Sequence, residues 1–535
     1  TVTLSSQEIG LQRTFTTSTD GLYVFTSAPA GTYTLKVEKQ GFASYIQSGI
    51  VLAVAQAATE DVTLRVGNVT EQVSVTAAAP MINQVNANVT SLVTERQAVE
   101  LPLNQRNVFY LLALNSSVNN SVQWQGATNG SKAPGLADAW ASFMNFGGSR
   151  FETTPMLLDG HWETAGDWAE LQYAPTVDAI QEFRIETNTF SAQYGWSMGN
   201  VVEAITKSGT SAFHGDAYEF LRNSALDANY FFNNSSGLPK TPFKRNQFGF
   251  TAGGPLYLPK IYQQRDKTFF LMGYEGLREE TPTTLVASVP TTAMRSGDFS
   301  QLSGAIYNPF TTQSVTTGFV RDPFPGNIIP ASMINPIAKN IGAYYPNPTT
   351  GGVVNNFVSS LAATGTIDSY TVRVDHNFSD NTRLFGRYSQ KWINETQFPP
   401  SFGPTNPAGP GFTSFTGEAD AALDFNHIFS PTFIWDVNVG WNRDPNPAVH
   451  QGHGFLPSTL GFPSSLDVAN SFPSVSMDDE YGLSPCCNNI YIRQNNDLST
   501  DFTKIAGAHT LNFGFQALDF TINGQSYPQA LYFYA

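Results

Sequence analysis

Cation-binding residue types gather in one late stretch of this 535-residue chain. His450-Gln451-Gly452-His453 and Asp478-Asp479-Glu480 carry imidazole and carboxylate groups of the kind that bind metal ions. Both lie in a polar connection, where such side chains are usually hydrated. A metal-dependent enzyme built on this loop is therefore the weakest of three functional hypotheses, and we assign no metal ligand and no cofactor-binding residue.

Two further residue types could react. Cys486 and Cys487 are adjacent, and neighbouring cysteines pair only with backbone distortion, so a strained vicinal bridge and two plain loop thiols both remain open. Ser149 follows Gly148 without the strand-serine-helix context of a nucleophile, and no partner base is identifiable. We predict no catalytic residue and no enzymatic activity.

The composition indicates a secreted or outer-membrane β-protein. Charged residues make up 13% of the chain and aromatic residues another 13%, whereas an average soluble protein has about 25% charged residues. The net charge of −15 argues against a nucleic-acid partner, because phosphate binding needs clustered Lys and Arg.

The sequence contains no apolar run long enough for a transmembrane helix. It also lacks a signal peptide. Thr1-Val2-Thr3-Leu4 already follows a strand pattern, so we expect the natural amino terminus to lie before this segment.

The first segment is predicted to form a compact Ig-like β-sandwich. Between Thr32 and Glu38, Tyr33, Leu35 and Val37 alternate with polar residues, as in a half-buried strand. With Thr19-Asp20-Gly21-Leu22-Tyr23 and Gly41-Phe42, this pattern resembles the carboxypeptidase regulatory-like domain, which implies no peptidase chemistry.

The next segment mixes helix and strand signals, with a helix-like start in Ser91 to Val99 and an apolar run ending at Leu114. It resembles the plug of TonB-dependent receptors of the Oar-like group, in which the regulatory domain precedes the plug. The matching motifs are Leu101-Pro102-Leu103-Asn104-Gln105-Arg106 and residues 146–150, 156–160, 177–183, 192–195 and 199–202. Gln105 departs from the Gly usual in that group.

A short polar and β-branched stretch precedes the plug. It is either the last strand of the sandwich with a linker or the TonB box that such transporters offer for strand addition, and the two interpretations are compatible. Its residues are Thr70, Glu71, Gln72, Val73, Ser74, Val75, Thr76 and Ala77.

Beyond Thr210, the residue pattern alone predicts a membrane barrel. Tyr370, Val372 and Val374 alternate with polar residues that include Arg373 and Asp375. A short turn at Ser379-Asp380-Asn381 leads into a second alternating run, and the same unit recurs over residues 419–443 and 498–520. Tight turns at one end, with long connections at the other over 279–368, 394–416 and 444–496, join predicted strands of roughly 9 to 11 residues. This arrangement is typical of outer-membrane barrels.

The sequence thus predicts a mainly β protein with three domains. These are an Ig-like sandwich over 1–77, an α+β plug over 78–210, and about nine antiparallel strands of a large transmembrane β-barrel over 211–535. Plugged barrels have about 22 strands, and an open edge cannot face lipid, so we expect further strands beyond Ala535. Tyr370, Phe378, Tyr388, Trp392, Phe429 and Trp441 suit the interfacial girdles.

The resemblance implies TonB-dependent uptake of a ligand across the bacterial outer membrane, with the amino-terminal domain in the periplasm. The expected partners are the TonB complex, outer-membrane lipid and an unidentified small-molecule, oligosaccharide or peptide ligand. Aromatic residues between Phe398 and Phe415 would suit either sugar stacking or loop packing. An Oar-like surface adhesion or export protein is the alternative.

Charges expected to pair within the plug or with the barrel are Arg106, Arg150, Asp159, Asp178 and Glu182.

Overall fold

The computed structural model describes residues 1–17, 21–25, 28–52, 58–67, 72–76, 89–101, 103, 106–119, 145–146, 149–150, 153–166, 171–187, 191–229, 231, 234, 240, 242–476, 481–483, 489–507, 509–526 and 532–534. Within these residues, three large sheets follow one another along the chain. The protein is mainly β, as predicted. None of the helices described is both long enough and apolar enough to cross a membrane.

The first sheet belongs to the amino-terminal Ig-like sandwich and has the strand order β2-β1-β3-β4-β5. Tyr33, Leu35 and Val37 are buried as the alternation predicts, and Tyr23, Phe25, Val62 and Leu64 pack against the same core. The strands are β1 (Val2–Ser6), β2 (Leu11–Phe15), β3 (Gly31–Val37), β4 (Ser44–Leu52) and β5 (Gln72–Thr76).

The described part of the TonB-box-like segment is the edge strand β5, which pairs in parallel with β4. Gln72, Val73, Ser74, Val75 and Thr76 therefore form the last strand of this sheet. Thr70, Glu71 and Ala77 lie outside the described residues. The strand interpretation holds for the central five residues, and a role in binding TonB stays a prediction.

The second sheet lies in the segment predicted to be the plug, which is called the plug below, and has the order β10-β9-β12-β11-β6. The helix predicted from Ser91 begins only at Glu95 in α1 (Glu95–Glu100), because residues before it pair with β11 and Thr94 closes a capping box with Gln97. The apolar run ending at Leu114 is a 3-10 helix, Val108–Leu114. The plug strands are β6 (Val89–Thr94), β7 (Val118–Asn119), β8 (Asn145–Phe146), β9 (Met156–Leu158), β10 (His161–Trp162), β11 (Ile180–Thr187) and β12 (Asn200–Thr206).

The third sheet has nine strands, each antiparallel to its neighbours, in the order β13-β14-β15-β18-β19-β20-β21-β23-β24. The strands of this region are β13 (His214–Asn223), β14 (Lys244–Pro255), β15 (Thr268–Ala287), β16 (Gln313–Val315), β17 (Gly318–Val320), β18 (Phe357–Ser379), β19 (Thr382–Phe398), β20 (Phe412–Ser430), β21 (Phe433–His450), β22 (Ser474–Ser476), β23 (Asn489–Ala506), β24 (His509–Ser526) and β25 (Tyr532–Tyr534).

Tight turns and long connections alternate along this sheet as predicted. Tight turns that follow Ser379, Ser430 and Ala506 join strands at one end, and the connections 288–356, 399–411 and 451–488 join them at the other. The sandwich lies at the tight-turn end, where Asn377 donates its amide to the Ile9 carbonyl oxygen at 3.3 Å. In outer-membrane barrels the tight turns face the periplasm.

The long connections contain α2 (Thr292–Arg295) and α3 (Pro336–Gly342), and they pack on one another. The Tyr345 hydroxyl donates to the Tyr481 carbonyl oxygen at 2.9 Å, and Phe402 and Phe357 meet at 5.5 Å between ring centroids. Phe402 therefore packs in a loop core, and Phe415 stacks on Trp392 with centroids 5.8 Å apart. The role of these two aromatic side chains is therefore packing.

Further 3-10 helices are Val177–Ala179, Ser224–Leu226, Pro309–Thr311, Pro325–Asn327, Ala331–Met333, Pro457–Leu460 and Ser464–Ala469.

The faces of the large sheet are inverted relative to a soluble protein. On β18, Val372 is 49% exposed and Tyr370 47%, whereas Thr371, Arg373 and Asp375 between them are at most 8% exposed. Apolar side chains point outward, where a membrane would cover them, and polar ones point toward the plug.

The strands are longer than predicted. The alternation indicated about ten residues per strand, but β18 has 23 and β15 has 20. The sequence pattern marks only the part that contacts lipid, because a lipid-facing side must be apolar. Beyond the lipid, the backbone ladder continues without that requirement, so residues predicted as loop, such as Ser359 and Ser360, belong to strands.

This division predicts a position-dependent cost for a charge on the outer face of β18. We expect Val372→Arg to destabilise the folded protein by about 2–4 kcal/mol, the range for a cation near the bilayer midplane. Val358 lies on the same face of β18, in the part of the strand that extends beyond the lipid toward the long connections. Val358→Arg should therefore lower the free energy of unfolding by only about 0–1 kcal/mol. Urea unfolding of the full-length protein in lipid vesicles measures both, and equal costs would refute the assignment of the membrane-spanning part.

Candidate functional site

A plug hairpin points into the wall of the large sheet. Strands β9 and β10 are joined by Asp159 and Gly160, which have φ angles of 53° and 87°. Positive φ at both positions characterises the two-residue turn that Asp-Gly favours. This turn brings Asp159, His161 and Glu163 against the inner face of the barrel strands.

Asp159 is the plug side of a buried ion-pair network. Its carboxylate accepts from Arg387 Nε of β19 at 2.7 Å and from Arg373 Nη1 of β18 at 3.3 Å. Within the plug, Thr206 adds its backbone N–H at 2.9 Å and its hydroxyl at 2.8 Å. Arg387 also contacts Asp420 of β20. Arg373 also contacts Asp375 of β18, so each arginine connects two carboxylates, and the two that Arg387 binds are at least 93% buried.

His161 lies beside this network and is itself fully buried. Its Nδ1 is 3.2 Å from Asp497 Oδ1 of β23, and its Nε2 faces two carboxylates. One is Asp420, which makes a hydrogen bond with Nε2, and the other is Glu163, whose Oε1 is 2.9 Å away. A single plug imidazole therefore contacts three acidic side chains, two of them from the barrel.

Barrel asparagines bind the backbone of the same hairpin. The side-chain amides of Asn438, Asn442 and Asn495 donate to the carbonyl oxygens of Asp159, Trp162 and Thr164 at 2.9, 2.5 and 2.9 Å. These carbonyl groups would otherwise be buried without donors, at a cost of about 1–3 kcal/mol each. The barrel wall thus completes the hydrogen bonding of the plug.

A second contact joins plug and barrel at Arg106, whose φ of 51° places it in the left-handed region. Its guanidinium lies 2.5 Å from Asp178 within the plug and 3.8 Å from Glu275 of β15. It also lies 4.7 Å from the centre of the Tyr218 ring of β13. The predicted residues Arg106 and Asp178 are therefore paired, and their pair extends to the barrel.

Burial and neighbouring charges shift the pKa values of the titratable side chains in the plug hairpin. Burial opposes ionisation of Asp159, but Arg387 and Arg373 outweigh it and hold the pKa of Asp159 below its usual value. Burial also opposes charge on His161, yet Glu163 and Asp497 raise the pKa of His161 to about 9. Burial raises the pKa of Glu163 above its usual value. One imidazole therefore does not balance all the acidic groups around it.

The comparisons with known proteins identify the family. A family model described as "Outer membrane beta barrel domain" matches residues 205–532, and one described as "Carboxypeptidase regulatory-like domain" matches residues 1–65. The chain belongs to the outer membrane beta-barrel domain family. It is a protein of the outer membrane.

Among curated proteins, this outer membrane beta-barrel chain is 25% identical over 281 residues to the TonB-dependent transporter Oar of Myxococcus xanthus. The match covers 51% of this chain and 24% of that protein. This match confirms the resemblance to the Oar-like group that the sequence motifs indicated.

The solved structures that this chain matches include the outer membrane transporter YddB from Escherichia coli, with 12% identity and a TM-score of 0.49 over 80% of this chain and 48% of that chain. A mutant of the ferric enterobactin receptor PfeA from Pseudomonas aeruginosa has 10% identity and a TM-score of 0.44 over 81% and 49%. The FrpB iron transporter from Neisseria meningitidis has 8% identity and a TM-score of 0.42 over 81% and 60%.

The sequence-predicted plug charges have different environments in this outer membrane beta-barrel protein. Asp159, Arg106 and Asp178 lie at the barrel contacts, Glu182 is buried on β11, and Arg150 is exposed.

The predicted loop pair His450 and His453 forms no metal cluster among the described residues. Both ring nitrogens of His450 are engaged, Nε2 with Ser471 at 2.9 Å and Nδ1 with the Gly452 N–H at 2.8 Å. Asp478-Asp479-Glu480 and both cysteines lie outside the described residues.

Sequence reasoning missed His161, Glu163, Arg387, Asp420 and Asp497. A signal was present, because Arg387 and Asp420 occupy positions that alternate with outward apolar residues and must therefore face the lumen. What the sequence could not provide was the pairing of plug and barrel charges, since the contacts of His161 with Asp420 and of Asp159 with Arg387 join residues more than 200 positions apart.

Removal of Arg387 tests the plug–barrel network. We expect Arg387→Met to lower the free energy of unfolding by about 3–5 kcal/mol, because Asp159 and Asp420 both lose a buried counter-charge. Arg222→Met is the matched control, since Arg222 and Asp227 are 45% and 42% exposed and such pairs contribute about 0–1 kcal/mol. Guanidinium unfolding of the full-length protein compares them, and a similar effect in both variants would contradict a network that holds the plug.

Proposed function

We propose that this chain is part of a TonB-dependent transporter that takes up a ligand across the outer membrane. The observation that carries the proposal is a plug held inside the barrel wall by buried ion pairs and asparagine hydrogen bonds. The proposed domains are the sandwich over 1–77, the plug over 78–210 and the barrel over 211–535. The regulatory-like sandwich, at the tight-turn end, would lie in the periplasm.

A polar contact suits a plug that must move. Buried ion pairs gain little net free energy, because desolvation offsets most of the Coulomb attraction. When such a contact opens into a water-filled lumen, water can solvate the separated charges. An apolar contact would have no such replacement partner. We propose that Asp159, Arg106 and Asp178 are the plug charges that part from the barrel during opening, and we assign no such role to Arg150 or Glu182.

Strand β5 is the proposed point where TonB acts. It pairs with β4 on one side, and its other side has no strand partner among the described residues. An unpaired strand edge offers backbone groups for the addition of another chain. Because β5 directly precedes the plug in sequence, a pull on it would be transmitted to the plug.

The packed layer of long connections favours a second candidate, an Oar-like surface adhesion or export protein. An ordered loop layer with its own apolar core presents a defined surface to the exterior. That function needs no periplasmic force on β5. Contact with TonB therefore discriminates the two candidates.

Site-directed cross-linking in cells tests the transport proposal. In the full-length protein with Cys486 and Cys487 replaced by Ser, we expect Ser74→Cys on the edge strand to form a disulfide with a cysteine placed in the periplasmic domain of TonB. Thr34→Cys is the matched control, because β3 has strand partners on both sides. Cross-linking at neither position, or equally at both, would favour the adhesion or export function.

A further inference from the structure

Three potential ligand atoms converge where the plug hairpin meets the barrel. His161, Glu163 and Asp420 each offer one nitrogen or oxygen, and these atoms all lie within 4.8 Å of one another. The three side chains are 0–1% exposed. His161 and Glu163 belong to the plug, whereas Asp420 belongs to β20 of the barrel. The cluster therefore spans the contact between two domains.

The contacts of the His161 imidazole determine which ring nitrogen faces Glu163 and Asp420. Its Nδ1 faces Asp497 Oδ1 at 3.2 Å, and a carboxylate at Nδ1 places the ring proton there. In the neutral imidazole, the Nε2 lone pair then points at two carboxylates, which also carry only lone pairs when ionised. These three atoms can lie together only when a cation lies among them, either a proton on Nε2 or a metal ion.

One proton on Nε2 does not satisfy the arrangement. A hydrogen bond to Asp420 uses that proton, and Glu163 Oε1 is then left without a donor although it is buried and only 2.9 Å from Nε2. Asp497 Oδ2 is a second buried carboxylate oxygen without a hydrogen-bond donor. Unpaired buried carboxylate oxygens are rare in native proteins. A divalent ion would accept lone pairs from all three ligands at once.

The surroundings match those of known metal sites. A ligating histidine usually donates its other ring N–H to a carboxylate, which orients the ring, and Asp497 occupies that position. Gly440 of β21 permits this approach, because a Cβ at that position would collide with the His161 ring and the Asp497 carboxylate. Asp497 would thus act as the positioning residue for His161.

We propose that His161, Glu163 and Asp420 bind one divalent transition-metal ion of the Zn²⁺ class and that this ion fastens the plug to the barrel wall. One imidazole and two carboxylates suit a borderline ion such as Zn²⁺. Ca²⁺ requires six to eight oxygen ligands, which this set does not provide. Metal binding at this site does not depend on the transport proposal, whereas a part for the ion in plug opening would rest on it.

The test is metal counting on the full-length protein in detergent. After removal of metal with EDTA, the protein is titrated with Zn²⁺, dialysed and analysed by plasma mass spectrometry, with Ca²⁺ titrated in parallel. We expect one equivalent of Zn²⁺ that is absent from His161→Gln and Asp420→Asn. Ca²⁺ should not be retained at this site.

Glu418→Gln is the matched control. Glu418 lies two residues before Asp420 on the same inward face of β20, is 5% exposed, and its Oε2 is 3.7 Å from Lys391 Nζ. This variant also removes a buried lumen charge, but it should keep the full equivalent of Zn²⁺. No bound equivalent in the unaltered protein, or the same content in all variants, would overturn the proposal.

X-ray absorption at the zinc edge decides the question if the variants fail to show the heat-modifiable mobility of a folded barrel. In the unaltered protein, we expect nitrogen and oxygen neighbours at about 2.0–2.2 Å, including imidazole. Sulfur neighbours at about 2.3 Å would place the ion on the cysteine pair instead and would exclude the proposed site. This outcome is independent of TonB cross-linking, so the two proposals can fail separately.

Discussion

A charge buried away from water must meet an opposite charge, and this constraint governs the inner face of the barrel. Asp159 of the plug is buried because Arg387 and Arg373 of the barrel bind it, and these arginines are buried because Asp159, Asp420 and Asp375 accept from them. Asp159 takes both of its described counter-charges from the barrel, and each of the two arginines takes one of its two carboxylates from the plug. The plug sheet and the barrel wall therefore complete each other electrostatically, and the outer face is left apolar for lipid.

The fold was largely predictable because the lipid imposes a strict pattern. An outward residue must be apolar and an inward one is free to be polar, so strands such as Phe433–His450 carry a visible period of two, and the tight turns between strands were located correctly. The strand ends were not located correctly. The alternating pattern ends at the edge of the lipid, whereas the hydrogen-bonded strand ladder continues beyond it. In the plug, the helix start was misplaced because Val89–Thr94 pairs with β11, a contact that local sequence does not reveal.

The candidate site was only partly predictable. Asp159 and the pair of Arg106 and Asp178 were recognised because charges within a plug need partners. His161 and Glu163, which flank Trp162, were overlooked because an isolated histidine beside a hairpin turn has no distinctive local signal. Their partners Asp420 and Asp497 come from two barrel strands, and only the register of β20, β21 and β23 brings them to one imidazole.

A double-mutant cycle between the plug and the barrel tests this account most directly. The free energy of unfolding is measured in lipid vesicles for the full-length protein, for Asp159→Asn, for Arg387→Gln and for the double variant. If the two domains complete each other's charges, the coupling energy should be about 0.5–3 kcal/mol, the range for residues that share a hydrogen-bond or salt-bridge network. Additive effects, with a coupling below about 0.5 kcal/mol, would show that plug and barrel do not depend on each other's charges and would contradict the account.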